Sequence, residues 1–149
     1  MIHIVREPKA TVYRALLAHA LHRASHFSLV WREQLRFEQS AALVAASLDP
    51  FLADERLTNE WPGTHLVGSR ALVRRYVLSP SVLEILQQPA RLFAWRAPSL
   101  PEDLAFYLPS GSCWLGSISH ERDAWIHDAP TALPALLQSV PGLSARAAD

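Results

Sequence analysis

The densest polar chemistry of this chain falls between residues 101 and 127. His120 and Glu121 are adjacent, Asp123 follows, and Glu102 and Asp103 stand side by side upstream. A carboxylate that orients an imidazole is the minimum equipment for general-base catalysis. His120 with Glu121, Glu102 and Asp103 is therefore the one constellation on which a small hydrolase-type enzyme could be built. Ser119 directly precedes His120, so in an extended strand their side chains point to opposite faces and make a poor nucleophile–base pair. The single cysteine, Cys113, has no helix N-terminus beside it to lower its pKa. A second chemistry is suggested by His19, His22 and His26, which fall within a narrow arc on the face of the first helix opposite its apolar stripe. His22 and His26, one turn apart, would be a formal zinc pair. No acidic residue accompanies them as in a metalloprotease helix, and the expectation is that they bind no metal.

The elements that must position these groups follow from periodicity. Leu104, Phe106 and Leu108 alternate with Ala105 and Tyr107, and Pro109-Ser110-Gly111-Ser112 supplies turn chemistry. Cys113 to Ser119 returns, His120-Glu121-Arg122-Asp123 turns again, and residues 123–127 form a third strand. In such a meander the second turn and the start of the first strand share an edge, so Glu102 and Asp103 can converge on His120. The plainer alternative is that the two acids accept backbone N–H bonds and His120 closes a turn.

Upstream, Tyr13, Leu16, Leu17, Ala20, Leu21 and Ala24 have helical spacing, with Pro8 suited to the first turn. The parity of Phe27, Leu29, Trp31, Leu35 and Phe37 favours a strand over 27–36, although Phe27, Val30, Trp31, Gln34 and Leu35 also trace a helical stripe. Ser40 to Leu48 is an alanine-rich helix that Asp49-Pro50 ends, and Asp49 is placed to cap a further short helix through Leu57. Residues 58–69 lack periodicity and read as an ordered loop in which Trp61 is an anchor. A strand over 71–78, a helix opened by a Ser81/Glu84 capping box, and a strand over 92–96 lead into the meander. A short helix over 131–140 and a frayed tail over 144–149 close the chain. The expected fold is an α+β single domain over residues 1–143, with a mainly antiparallel sheet and its helices on one face.

Composition narrows function further. In 149 residues there are 14 basic and 14 acidic side chains, giving zero net charge. That removes the basic surplus that phosphate contacts need, so nucleic acid is not an expected partner. No stretch approaches a membrane span, the N-terminus lacks signal-peptide character, and one cysteine permits no internal disulfide. These features lead to the expectation of a cytoplasmic protein without cofactor; they do not fix its oligomeric state. With five glycines in all, a phosphate-binding loop is not expected either.

Four stretches together carry a resemblance: Asp49-Pro50-Phe51-Leu52, Trp61-Pro62-Gly63-Thr64, Pro101-Glu102-Asp103-Leu104-Ala105-Phe106, and Ser119-His120-Glu121-Arg122-Asp123-Ala124. They look like a group of small bacterial proteins of no established activity, over about residues 30–127. The resemblance implies a bacterial fold unit and assigns no catalytic residue. In size and type, though not in motif, the chain is also similar to immunity proteins that neutralise bacterial toxins. The function expected is thus protein binding without catalysis, with immunity as its specific form. A regulatory or subunit-interaction module is the plainer version, and the His120 hydrolase is the enzymatic alternative. The partner-facing residues expected are the acids Glu102, Asp103, Glu121 and Asp123 with the aromatics Trp61, Tyr107 and Trp125, since aromatic side chains dominate interface energetics.

Overall fold

Alternating apolar residues build one large antiparallel sheet, and the computed structural model describes residues 1–148 of it and its helices. The order is β1 (Ile2–Ile4), α1 (Thr11–Arg23), β2 (His26–Arg32), α2 (Gln39–Leu48), β3 (Leu52–Thr58), β4 (Glu60–Trp61), β5 (Thr64–His65), β6 (Ala71–Val77) and α3 (Pro80–Leu86). There follow β7 (Glu102–Tyr107), β8 (Cys113–Ile118), β9 (Asp123–Ile126), α4 (Leu133–Ser139) and β10 (Ala145–Ala147). Eight strands pair in the order β10-β1-β9-β8-β7-β2-β6-β3, and β4 and β5 form a separate hairpin. The fold is α+β, as the alternation of patterns implies. No helix of the described residues is long and apolar enough to cross a membrane.

One face of the sheet carries the core. Tyr76, Phe27, Phe106, Leu115, Ile126 and Ile2 stand in register across six strands. They pack with Leu16 and Leu17 of α1, Leu48 of α2, Val82 and Leu86 of α3, and Leu136 of α4. A register shift between β7 and β8 gives Trp114 and Leu115 to the same core, as an extra residue in one strand turns two neighbouring side chains to one side. The opposite face is covered in part by the β4–β5 hairpin. There Trp61 packs with Val30, Ala71 and Val73. Gly63 holds φ +82 in the hairpin turn, and a Cβ there would overlap the Trp125 ring and come within 2.9 Å of Ile118. The hairpin can lie this close to β8 and β9 only because that position is glycine.

Several expectations fail for identifiable reasons. Residues 52–57 form a strand and not a helix, because Asp54 and Glu55 stand opposite Arg75 and Arg74 of β6 and pair with them. Cross-strand charge complementarity outweighs the helical leaning of that segment. Residues 92–96 form no strand: Leu92–Ala94 is a single 3-10 turn. Buried partners pull it out of line, since Phe93 N–H donates to Glu7 Oε1 (3.0 Å) and Trp95 Nε1–H donates to Tyr13 OH (2.9 Å). The tail over 144–149 is not frayed: β10 pairs with β1, itself unanticipated, while Asp149 lies outside the described residues. Strand β2 stops at Arg32, short of residue 36. Helix α3 starts at Pro80 with Ser79 before it, so Ser81 lies inside the helix and caps nothing. The loop over 58–69 contains the β4–β5 hairpin, and the turn after β8 is a 3-10 turn over Ser119–Glu121.

Candidate functional site

The geometry around Glu102 and Asp103 begins with a fault in the β2–β7 ladder. Ser28 stands opposite Ala105 and Val30 opposite Glu102, which leaves Asp103 and Leu104 together facing Leu29. Asp103 takes φ 57, the left-handed region, in which aspartate is among the few side chains tolerated. In a regular strand consecutive side chains diverge; the bulge re-aims one of them, and the two carboxylates end up together. His120 arrives from the 3-10 turn after β8. One donor atom each of Glu102, Asp103 and His120 lies within 4.8 Å of the other two. Among the described residues this is the one group of three or more potential ligands so gathered.

The two carboxylates are 3% and 2% exposed, whereas His120 is exposed at the rim. Asp103 is well satisfied: Oδ2 accepts from Trp61 Nε1–H (2.9 Å) and Oδ1 from Ser119 N–H (2.9 Å). It thereby ties the β4–β5 hairpin and the His120 turn to β7. Burial pushes its carboxyl up, opposed first by the Trp61 and Ser119 hydrogen bonds and then by His120 and Arg32. Glu102 is the unsatisfied member. Its Oε2 is buried without a partner, as are the neighbouring Ser119 Oγ and Nε of Arg32. Burial and then the Asp103 charge push its carboxyl up to about 7, against the Ala97 amide and the cations Arg32 and Arg96. Glu121 remains outside the cluster, exposed, with Oε1 3.8 Å from His120 Nε2.

As a set, the residues expected to face a partner do not form a surface. Glu102 and Asp103 are buried, and so are Trp61 and Trp125, at 7% and 8% exposure. Trp61 is the anchor of its hairpin; Trp125 Nε1–H donates to His127 Nε2 (3.0 Å) under that hairpin. Tyr107 is half-buried with its hydroxyl 2.9 Å from Ser28 Oγ. Only Glu121 and Asp123 are exposed. The α1 histidines are also dispersed, because the helix ends at Arg23 and His26 opens β2. His19 packs on Trp114 with ring centroids 5.7 Å apart, and burial lowers its pKa.

Sequence reasoning missed a groove of about 690 Å³ between α2 and residues 88–100. Leu43, Val44, Phe93, Ala94, Pro98 and Leu100 give it apolar walls, and Arg91 and Arg96 stand on its lining. Helix α2, Gln-Ser-Ala-Ala-Leu-Val-Ala-Ala-Ser-Leu, has no charged residue, yet only Ala41 and Leu48 are buried; Leu43 is 61% exposed. A helix with so little polar character is ordinarily more enclosed. The absence of charge across ten residues was the signal available in the sequence. Glu7, also missed, braces this region: its buried carboxylate faces Arg91 (3.5 Å) and Arg122 (3.4 Å) and holds the Phe93 amide.

Groove and cluster share a wall. Arg96 and Ala97 line the groove on one side and act on Glu102 on the other. The molecule is thus an antiparallel α+β domain with a buried carboxylate cluster beside an open apolar groove. No family model, curated protein or solved structure matches the chain.

Proposed function

We propose that this chain is a non-enzymatic protein-binding domain that takes an apolar, carboxylate-bearing segment of its partner into the groove between α2 and residues 88–100. The observation that carries the reading is the uncharged, outward-facing α2, whose Leu43 stands exposed over a preformed apolar wall. Exposed contiguous apolar surface rimmed by polar groups is the mark of an interaction site. Arg96 is exposed on the lining and, among the described residues, makes no ion pair, which supports an acidic group on the partner. The groove walls are held by Glu7, Tyr13 and Trp95, so little ordering is left for binding to drive.

The specific form proposed is immunity: neutralisation of a bacterial toxin by direct binding, for which a small rigid scaffold with one preorganised surface suffices. Co-expression with a toxin encoded beside this chain tests it, scoring survival and complex formation. Wild type should protect and co-purify, Leu43→Asp and Arg96→Glu should lose both, and Val67→Asp, at a position 94% exposed outside the groove, should retain both. A complex that survives both groove substitutions would overturn the groove reading. A groove-dependent complex with a non-toxic protein would leave the regulatory-module form in its place.

The convergence of His120 with Glu102 and Asp103 favours a second reading, hydrolase-type chemistry with His120 as base. None of the three lines the 690 Å³ groove, so a substrate would have to approach from the exposed His120 side. Turnover of a small ester or phosphoester, abolished by His120→Ala in a folded protein, would establish that reading over the first.

A further inference from the structure

We propose that Glu102, Asp103 and His120 form a binding site for a divalent transition-metal cation of the zinc or manganese class. The site goes beyond the protein-binding reading and does not depend on it. Three donors from two elements already lie within 4.8 Å of one another. A cation about 2.0–2.2 Å from each would need them about 3–4 Å apart, a closure that χ rotations of Glu102 and His120 can supply. The second observation is Glu102 itself: it is 3% exposed, and its Oε2 is buried with no hydrogen-bond partner while the side chain reaches the other two donors. Buried polar atoms without partners are rare in folded proteins and call for a ligand, ion or water.

The surrounding groups are those a metal site requires. Each Asp103 oxygen accepts one N–H bond, from Trp61 or Ser119, which fixes the carboxylate and leaves a second lone pair per oxygen. Ligating carboxylates are commonly held in this way by outer hydrogen bonds. Arg32 and Arg96 act on Glu102, and Arg32 on Asp103, so a divalent cation competes with two guanidinium groups for the two carboxylates. An imidazole among the donors disfavours magnesium and calcium, which take oxygen. The exposed side of His120 leaves room for water to complete the coordination.

The test is calorimetric titration of the full chain with zinc chloride, and separately manganese chloride, at pH 8 after chelator treatment, with magnesium chloride for comparison. Wild type should bind one zinc or manganese per chain, with a rise in Tm, and show no comparable affinity for magnesium. Glu102→Gln and His120→Ala should each weaken binding at least tenfold, whereas His22→Ala on α1 should not. His120 is exposed, so its variant keeps the test valid if Glu102→Gln does not fold. Absence of binding by wild type, or binding that survives His120→Ala and is lost in His22→Ala, would overturn the proposal. Neither result bears on the groove, whose own substitutions are Leu43→Asp and Arg96→Glu.

Discussion

The carboxylate cluster and the α2 groove break the inside–outside rule in opposite directions. At the cluster, ionisable side chains are buried; at the groove, Leu43 faces solvent and Val44 and Leu100 are half-buried, along a helix without charge. A buried polar group or an exposed apolar patch is the informative exception in a folded chain. The energetic consequences differ. A buried carboxylate bears on folding, because its charged form loses hydration that only hydrogen bonds or counter-charges replace. Asp103 has such hydrogen bonds on both oxygens, whereas Oε2 of Glu102 has none. Exposed leucine on a helix bears little on folding and much on association. Substitutions at the cluster should therefore move stability, and substitutions at the groove should move binding.

The largest effect expected is that of Trp61→Ala. It removes the hairpin's anchor, opens the second face of the sheet and leaves Asp103 Oδ2 without its donor, so urea denaturation should show a loss of about 3–5 kcal/mol. Trp61→Phe keeps most of the packing and removes only the N–H; the loss should be about 1–2 kcal/mol. Equal losses in the two variants would show that the Asp103 hydrogen bond, and not packing, holds the hairpin.

Glu102→Gln should act in the reverse direction. The carboxyl sits at about 7 in the folded protein against an ordinary 4.5, so folding favours its protonated form. A raised acid pKa contributes stability that is fully present below about 4.5 and is lost as pH rises through about 7. In chelator, Glu102→Gln should match wild type at pH 4.5 and exceed it at pH 8 by about 1–2 kcal/mol, after allowance for solvent screening. Parallel stability curves for the two proteins across that window would mean that Glu102 is not desolvated. Smallest is the stability effect of Leu43→Asp, within about 0.5 kcal/mol, even as partner binding is lost. A large loss of stability there would move Leu43 from the groove into the core.

Much of this contrast was written in local sequence patterns, and the rest was not. Alternation exposed the meander and β6, and helical spacing exposed α1, so the convergence of Glu102 and Asp103 on His120 could be anticipated from topology alone. Their burial could not. It depends on Trp61, distant in sequence, and on the positive φ of Asp103, which no residue type announces. Strand β3 was misread because its defining property is the match of Asp54 and Glu55 to Arg75 and Arg74, a relation between segments. The groove was hidden by the reading of 92–96 as a strand, when Tyr13 and Glu7 hold those residues in a turn. Strands β1 and β10 are too short to carry a period and exist only by pairing with each other and with β9.

The most direct test of the claim that the groove is the recognition surface is amide hydrogen exchange, comparing the free chain with the complex obtained by co-expression. Binding should slow exchange in residues 39–48 and 88–100 and leave the open edge strand, residues 52–58, at its free rate. Protection confined to residues 52–58 or to 120–123, with α2 exchanging as in the free protein, would contradict it.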